Sequence, residues 1–377
     1  MRAVLCLLLC VVLAAPVFAE NVVLVNGTII DGTLKARFQG NVRIRDGRIR
    51  DIGAFKPVAG ETVLDVKGLI VAPGFIDLHN QPASELAKDL GAASQINQGI
   101  TTAILGGDGT GPYLVEEFML PFDEKPPALN IMTLVGHGTV RRQIMGADYK
   151  RAATAEEIRR MGELIDEAMR QGAYGLSSDL TSEPSLYSTS EELMVLGKAM
   201  ARSGGVYITR AREDDRALES IRDAIEIGRS AKVSVQISPI KLAGALAEID
   251  KARMQGADVA ADTAASMADK DLRAFLQHPW VMFASDGEAG VFPNALGRYV
   301  REQKLLTLER AIRKMTGLPA SRAGLKTRGV LAKGATADVV VFDPLQATVL
   351  MKYVFVNGTI VVRDGQATAE RPGLALR

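Results

Sequence analysis

Residues 69–81 read LIVAPGFIDLHNQ, an apolar run that breaks at its end into the polar His79-Asn80-Gln81. Seven further short apolar stretches follow it, at 100–106, 128–136, 172–178, 205–209, 232–238, 257–261 and 280–285, each separated from the next by a longer segment. Some of those segments carry helix signals. Thr154 and Glu157 have the spacing of a capping box ahead of an amphipathic run, Ser188 to Ser190 precede Glu191-Glu192, and Gly204-Gly205 end that second helix. Strands that alternate with helices imply parallel βα units, and eight such units are what a closed (β/α)8 barrel requires.

Outside this stretch the pattern changes. Residues 22–30 and 42–52 are β-rich, with turn chemistry at Asn26-Gly27, Asp31-Gly32 and Asp46-Gly47. The sequence VNGTI of 25–29 returns at 356–360, each copy followed by an Asp-Gly, and 337–342 and 352–356 are also strand-like. The two flanks are therefore expected to meet in one small β-sandwich satellite, residues 20–68 and 325–377, beside a barrel of residues 69–324. Asn26 and Asn357 head N-x-T sequons, which hairpin turns explain without glycosylation.

The 377 residues are 47% hydrophobic and 24% charged, the balance of a folded globular protein. Forty-five basic residues face forty-four acidic ones with no basic stripe, which argues against nucleic acid and anionic membranes and for a small-molecule ligand. Arg2, the apolar run 4–13 and the small residues before Glu20 read as an export signal, residues 1–19, removed so that the mature chain starts at about Glu20. A periplasmic or secreted location follows, with no transmembrane helix in the mature chain, because Pro16 cuts the apolar run short of a span. Both cysteines, Cys6 and Cys10, fall inside that signal, so the mature chain has no thiol to offer a metal. Oligomeric state leaves no mark in the sequence.

In a parallel barrel the reactive groups belong at the C-terminal ends of the strands. There the sequence places His79, Asp108, His137, Asp179, Arg210, Arg212, Pro239, Lys241, Asp262 and Asp286. A hydrolytic zinc usually takes at least three protein ligands, His being the commonest. This chain has only three histidines, and His278 precedes the eighth strand, at the opposite end of the barrel. The mouth is expected to hold acids and two histidines but no full metal cage.

Several of these stretches carry a resemblance. APGFIDLH at 72–79, GITT at 99–102, GHGTVR at 136–141, GVY at 205–207, VQIS at 235–238, HPWVM at 278–282 leading to Ser285-Asp286-Gly287, KMT at 314–316 and the run 334–344 resemble the N-acyl-D-amino-acid deacylases, or D-aminoacylases, of the amidohydrolase superfamily. The resemblance spans nearly the whole mature chain. It implies metal-dependent hydrolysis of the linear amide C–N bond of an N-acyl-D-amino acid, with Asp286 as general base. The same resemblance exposes departures: the family's second strand-one histidine falls at Gln81, its strand-five histidine at Arg210 and its strand-six histidine at Pro239. Ala260 and Asp262 occupy places of substrate tyrosines, and an insertion after strand seven is almost absent.

The retained set implied by the resemblance is His79, Asp108 and Asp286 as a weak, partial metal site, with Arg212, Lys241 and His137 as substrate-binding groups. Blander roles stand beside these. His137 suits a turn histidine as well as a proton shuttle, and Arg210 suits a counter-ion to Asp108, Asp286 and Asp262 in place of the lost metal. The expected cofactor is none, or one weakly bound zinc. Two functions follow: a D-aminoacylase-like protein, catalytically impaired or inactive, kept for binding a small ligand such as an N-acyl amino acid or a partner; or an active, divergent C–N hydrolase using His79, Asp108 and Asp286.

Overall fold

The computed structural model describes residues 21–80, 83–263, 269–346 and 348–377. The expected export signal and Gln81 lie outside the described residues. Among the described residues the strands are, in chain order, β1 Val22–Ile29, β2 Phe38–Arg45, β3 Arg48–Gly53, β4 Thr62–Asp65, β5 Ile70–Pro73, β6 Phe75–Asp77, β7 Ile100–Leu105, β8 Asn130–Thr133, β9 Val135–Gly136, β10 Gly175–Asp179, β11 Val206–Arg210, β12 Ser234–Ile237, β13 Val259–Thr263, β14 Val281–Phe283, β15 Val339–Phe342, β16 Met351–Val356, β17 Thr359–Arg363 and β18 Gln366–Ala367.

Strands β6 to β14 make the (β/α)8 barrel. All their pairings are parallel: β6-β7-β8 run side by side, then β9 to β14 in sequence order. Strands β8 and β9 are one barrel strand interrupted at Leu134, whose N–H still reaches Leu105. The seam between the last and first strands is closed by a side chain. Asp77, fully buried, accepts from the Ser285 N–H at 3.1 Å and the Ser285 hydroxyl at 2.5 Å, and the Asp286 N–H reaches the His79 carbonyl at 3.0 Å.

The run 69–78 is two strands rather than one. Ile70–Pro73 pairs antiparallel with β15 and parallel with β1 in the satellite sheet, and only Phe75–Asp77 belongs to the barrel. The switch occurs at Pro73-Gly74. Proline ends ladder donation, and a Cβ on Gly74 would stand 2.2 Å from the Thr101 hydroxyl, so only glycine lets the chain pass that close to β7. The other seven apolar stretches hold barrel strands with ends shifted by a few residues.

The satellite is one nine-stranded sheet, in the order β18-β17-β16-β15-β5-β1-β2-β3 with β4 also on β1, and it unites both flanks of the sequence. Its own core includes Leu24, Ile44, Val71, Val341 and Phe355. Of the turn signals, Asp46-Gly47 and Asn357-Gly358 do join strands, whereas Asn26-Gly27 lies inside β1 as a bulge, where the register with β2 slips between Leu24 and Gly27. Asn26 tolerates the left-handed φ of 64° there, and its side chain is held by Asp65 at 3.0 Å. Both helix starts form: Thr154 and Glu157 make the capping box of Ala155–Arg170, and Thr189 caps Ser190–Ala201. Among the described residues no helix is long and apolar enough to cross a membrane.

Candidate functional site

The C-terminal ends of β6, β12, β13 and β14 bring five polar side chains together, four of them hydrogen-bonded in a chain. Asp286 Oδ1 lies 3.3 Å from His79 Nε2, and His79 Nδ1 lies 2.8 Å from the Ser238 hydroxyl. Ser238 in turn donates to Asp262 Oδ1 at 2.9 Å, and Gln236 donates to Asp262 Oδ2 at 2.8 Å. Burial pushes the Asp262 carboxyl up to about 6, against the opposing pull of His79 and of its two hydrogen bonds. His79, Ser238 and Asp262 are buried, while Asp286 is 35% exposed and sits at a left-handed φ of 51°. Behind them Asp77 also accepts from Asn80 at 2.7 Å, and burial raises its carboxyl too.

His79 and Asp286 thus lie side by side, while Asp108 does not join them through a bond. Its Oδ1 accepts from the Thr110 N–H and hydroxyl at 3.1 and 2.7 Å, the geometry of a local turn. At the ends of β11 and β12 stand Arg210, a permanent cation, and Pro239, which has no donor atom and follows Ser238 through a cis peptide. His79 Nδ1 is hydrogen-bonded to Ser238, and its Nε2 faces Asp286 at 3.3 Å. Among the described residues no three His, Cys, Asp or Glu side chains are grouped so as to hold a metal ion. The donor set does not fit the zinc centre that the resemblance implied.

Arg210 is not the counter-ion to the mouth acids that it was expected to be. Its Nε is buried, without a hydrogen bond, 3.7 Å from Glu213 Oε1, and no bond joins it to Asp108, Asp262 or Asp286. The imidazole of His79 stands nearer, 3.3 Å from Asp286 and hydrogen-bonded to Ser238, which donates to Asp262.

The three expected substrate-binding groups do not converge. Arg212 is buried and spends its guanidinium on the carbonyls of Leu186 and Ser188 at 2.9 and 3.0 Å; burial lowers its pKa. Lys241 pairs with Glu213 at 2.6 Å on the surface. His137 is fully buried at the start of the helix His137–Met145, between the Ser185 hydroxyl at 2.9 Å and Glu192 Oε1 at 2.8 Å. Glu192 also binds Arg141 Nη1, and these two partners hold its carboxyl below the usual range although burial works the other way. That is a structural ion-pair network under the mouth, not a proton shuttle facing it.

Sequence reading missed Ser238 and Asp77, and both left a signal. Asp77 is a carboxylate inside an apolar strand, and Ser238 closes a strand just before a proline. Beside the network, the loops after β7 and β10 and the first turns of His137–Met145 enclose a cavity of about 380 Å3, lined by Asp108, Tyr113, Thr139, Arg142, Ser182 and Glu183 among others.

Comparison with known proteins places this arrangement. The model of the amidohydrolase family matches residues 62–283 and 273–362. The chain is 30% identical to N-acyl-D-aspartate deacylase of Alcaligenes xylosoxydans xylosoxydans, with 96% of each chain covered. That alignment runs over 479 positions, longer than the 377 residues here, so the relative carries insertions that this chain lacks. Among solved structures it is similar to D-aminoacylase, in work on that enzyme's binuclear metal centre, at a TM-score of 0.89 and 26% identity, with 95% of this chain and 100% of the other covered. It is similar also to N-acyl-D-glutamate deacylase of Bordetella bronchiseptica complexed with zinc and a phosphonate inhibitor, at a TM-score of 0.88 and 28% identity over 95% and 99% of the two chains.

Proposed function

The chain belongs to the amidohydrolase family, as a D-aminoacylase-like member, and from that premise we propose that it binds a small polar ligand at the barrel mouth without carrying out the family's metal-dependent hydrolysis. One observation carries this reading. The single histidine at the mouth is hydrogen-bonded through Nδ1 to Ser238 and has its Nε2 3.3 Å from Asp286, and the neighbouring ligand positions hold Arg210 and Pro239. A zinc-activated water needs three protein donors around an open position. Here His79 and Asp286 stand together at that place, one donor short of such a set.

The cavity of about 380 Å3 falls within the range of small-molecule sites. Its walls offer the Arg142 guanidinium, the second oxygen of Asp108 and several hydroxyls, which suit a ligand with a carboxylate and a hydrogen-bond donor. An N-acyl amino acid has both. Export from the cytoplasm, with the mature chain starting at about Glu20, belongs to the same reading and is checked by N-terminal sequencing of the expressed protein.

The decisive experiment supplies zinc to the purified chain, dialyses it, measures bound metal and assays a panel of N-acyl-D- and N-acyl-L-amino acids. The expected result is no retained zinc and no turnover, with saturable binding of one panel member weakened by Arg142→Gln. Zinc-dependent turnover abolished by Asp286→Asn would overturn the proposal in favour of a divergent hydrolase built on His79, Asp108 and Asp286.

A further inference from the structure

The opposite, N-terminal face of the barrel carries a concentration of positive charge. A cavity of about 270 Å3 opens there, walled by Arg253, Arg313 and Arg322, by Asp258 as its one carboxylate, and by Trp280. Asp258 is already committed: Oδ1 pairs with Arg322 at 2.9 Å and Oδ2 accepts from the Ser234 hydroxyl at 2.5 Å. The next carboxylate, Asp250, is turned to the Trp280 indole N–H at 2.7 Å and to His278 at 3.2 Å. Arg253 donates only to the Val259 carbonyl, and Arg313 has neither a hydrogen bond nor an ion pair among the described residues.

We propose that this cavity is a binding site for a small oxyanion, a phosphate or carboxylate group gripped by Arg313 and Arg253 beside the Arg322–Asp258 pair. Three guanidinium groups against one carboxylate leave two positive charges facing a shared space, and planar forks of this kind match carboxylate and phosphate oxygens two at a time. The neighbourhood registers the excess. Burial together with Arg322 lowers the pKa of Arg253, and burial with Arg310 and Arg313 brings the ammonium of the adjacent Lys314 down to about 7. An anion in the cavity relieves this repulsion. The site is independent of the mouth, and its failure would leave the reading of the mouth untouched.

Trp280 is the only tryptophan in the chain and lines the cavity, so its fluorescence reads the site directly. The full chain is titrated at constant ionic strength with inorganic phosphate and, separately, with citrate. A saturable change in emission is expected with at least one of them, with the apparent Kd raised by about tenfold or more in Arg313→Gln, the loss of one charge-assisted contact. Saturation by phosphate alone assigns a phosphorylated ligand, by citrate alone a carboxylate, and by both a general oxyanion site. Arg313 gives up no partner when replaced, so the variant folds, and without anion it melts no lower than the parent. A response to neither probe, or equal affinity in Arg313→Gln, overturns the proposal.

Discussion

Replacing Glu192 by alanine tests the network that underlies the third and fourth strand ends. The Glu192 carboxylate and the Arg141 guanidinium are both fully buried, and His137 completes the group. Arg141 Nη2 reaches the carbonyls of Tyr149 and Tyr187 at 3.1 and 3.4 Å and that of Arg151, but these are dipoles, and among the described residues Glu192 is the only countercharge bonded to it. Removing that carboxylate strands a cation in a dry interior, which costs about 3–5 kcal/mol. For a chain of this size that lowers the melting temperature by roughly 4–6 °C. The Glu192→Gln variant keeps a carbonyl acceptor without the charge and should fall between the two. Joint replacement of Glu192 and Arg141 by leucine should recover only part of the loss, because carbonyls that Arg141 served are left without a donor, at about 1–3 kcal/mol for each buried one. Urea unfolding at neutral pH measures all four proteins. A loss under about 1 kcal/mol in Glu192→Ala would refute the reasoning, since it would mean that the carbonyls alone neutralise Arg141.

Asp262→Asn should flatten the pH dependence of stability. The carboxyl's folded pKa of about 6 lies above its ordinary 3.8, so its neutral form favours the fold; that stability is full below about pH 4 and lost as pH rises through 6, by up to about 3 kcal/mol. Unfolding free energies of parent and variant that stay parallel from pH 4 to 7 would contradict it. Gly74→Ala should cost about 1–3 kcal/mol or more, since its Cβ would meet Thr101 within 2.2–2.8 Å, and thermal melting measures this. Asn357→Ala should cost about 2 kcal/mol in the same assay, because Asn357 holds a φ of 50° and its side chain bonds Arg328, Asn130 and Pro372.

The barrel was legible because period and order are local properties. Each apolar run is just long enough for a buried parallel strand, and capped helices separate some of them. The bulge at Asn26-Gly27 was not legible as such, because Asn-Gly suits any left-handed position, and only the pairing of β1 with β2 decides between a turn and a slip in register. The split at Gly74 depends likewise on Thr101, a neighbour in space rather than in sequence. At the mouth, strand-end logic put His79 and Asp286 among the candidates without pairing them. The roles of Arg210, Arg212, Lys241 and His137 did not, since side-chain direction is set by which acids and carbonyls stand near. Arg212 shows this best: its place in the chain suggests a ligand contact, and its surroundings consist of backbone oxygens.

Strand β5 has a further consequence for how the molecule is assembled. Its two edges are occupied by β1, made shortly before it, and by β15, made after the entire barrel. On a ribosome, or during passage through a membrane pore, residues 70–73 would wait with one edge bare while all eight barrel units emerged. Pairings so remote in sequence form slowly, and an uncovered strand edge invites other chains to add to it. The vulnerable period for this protein is therefore its synthesis, and a shortage of chaperones should be felt as aggregation of nascent chains well before it affects the finished molecule.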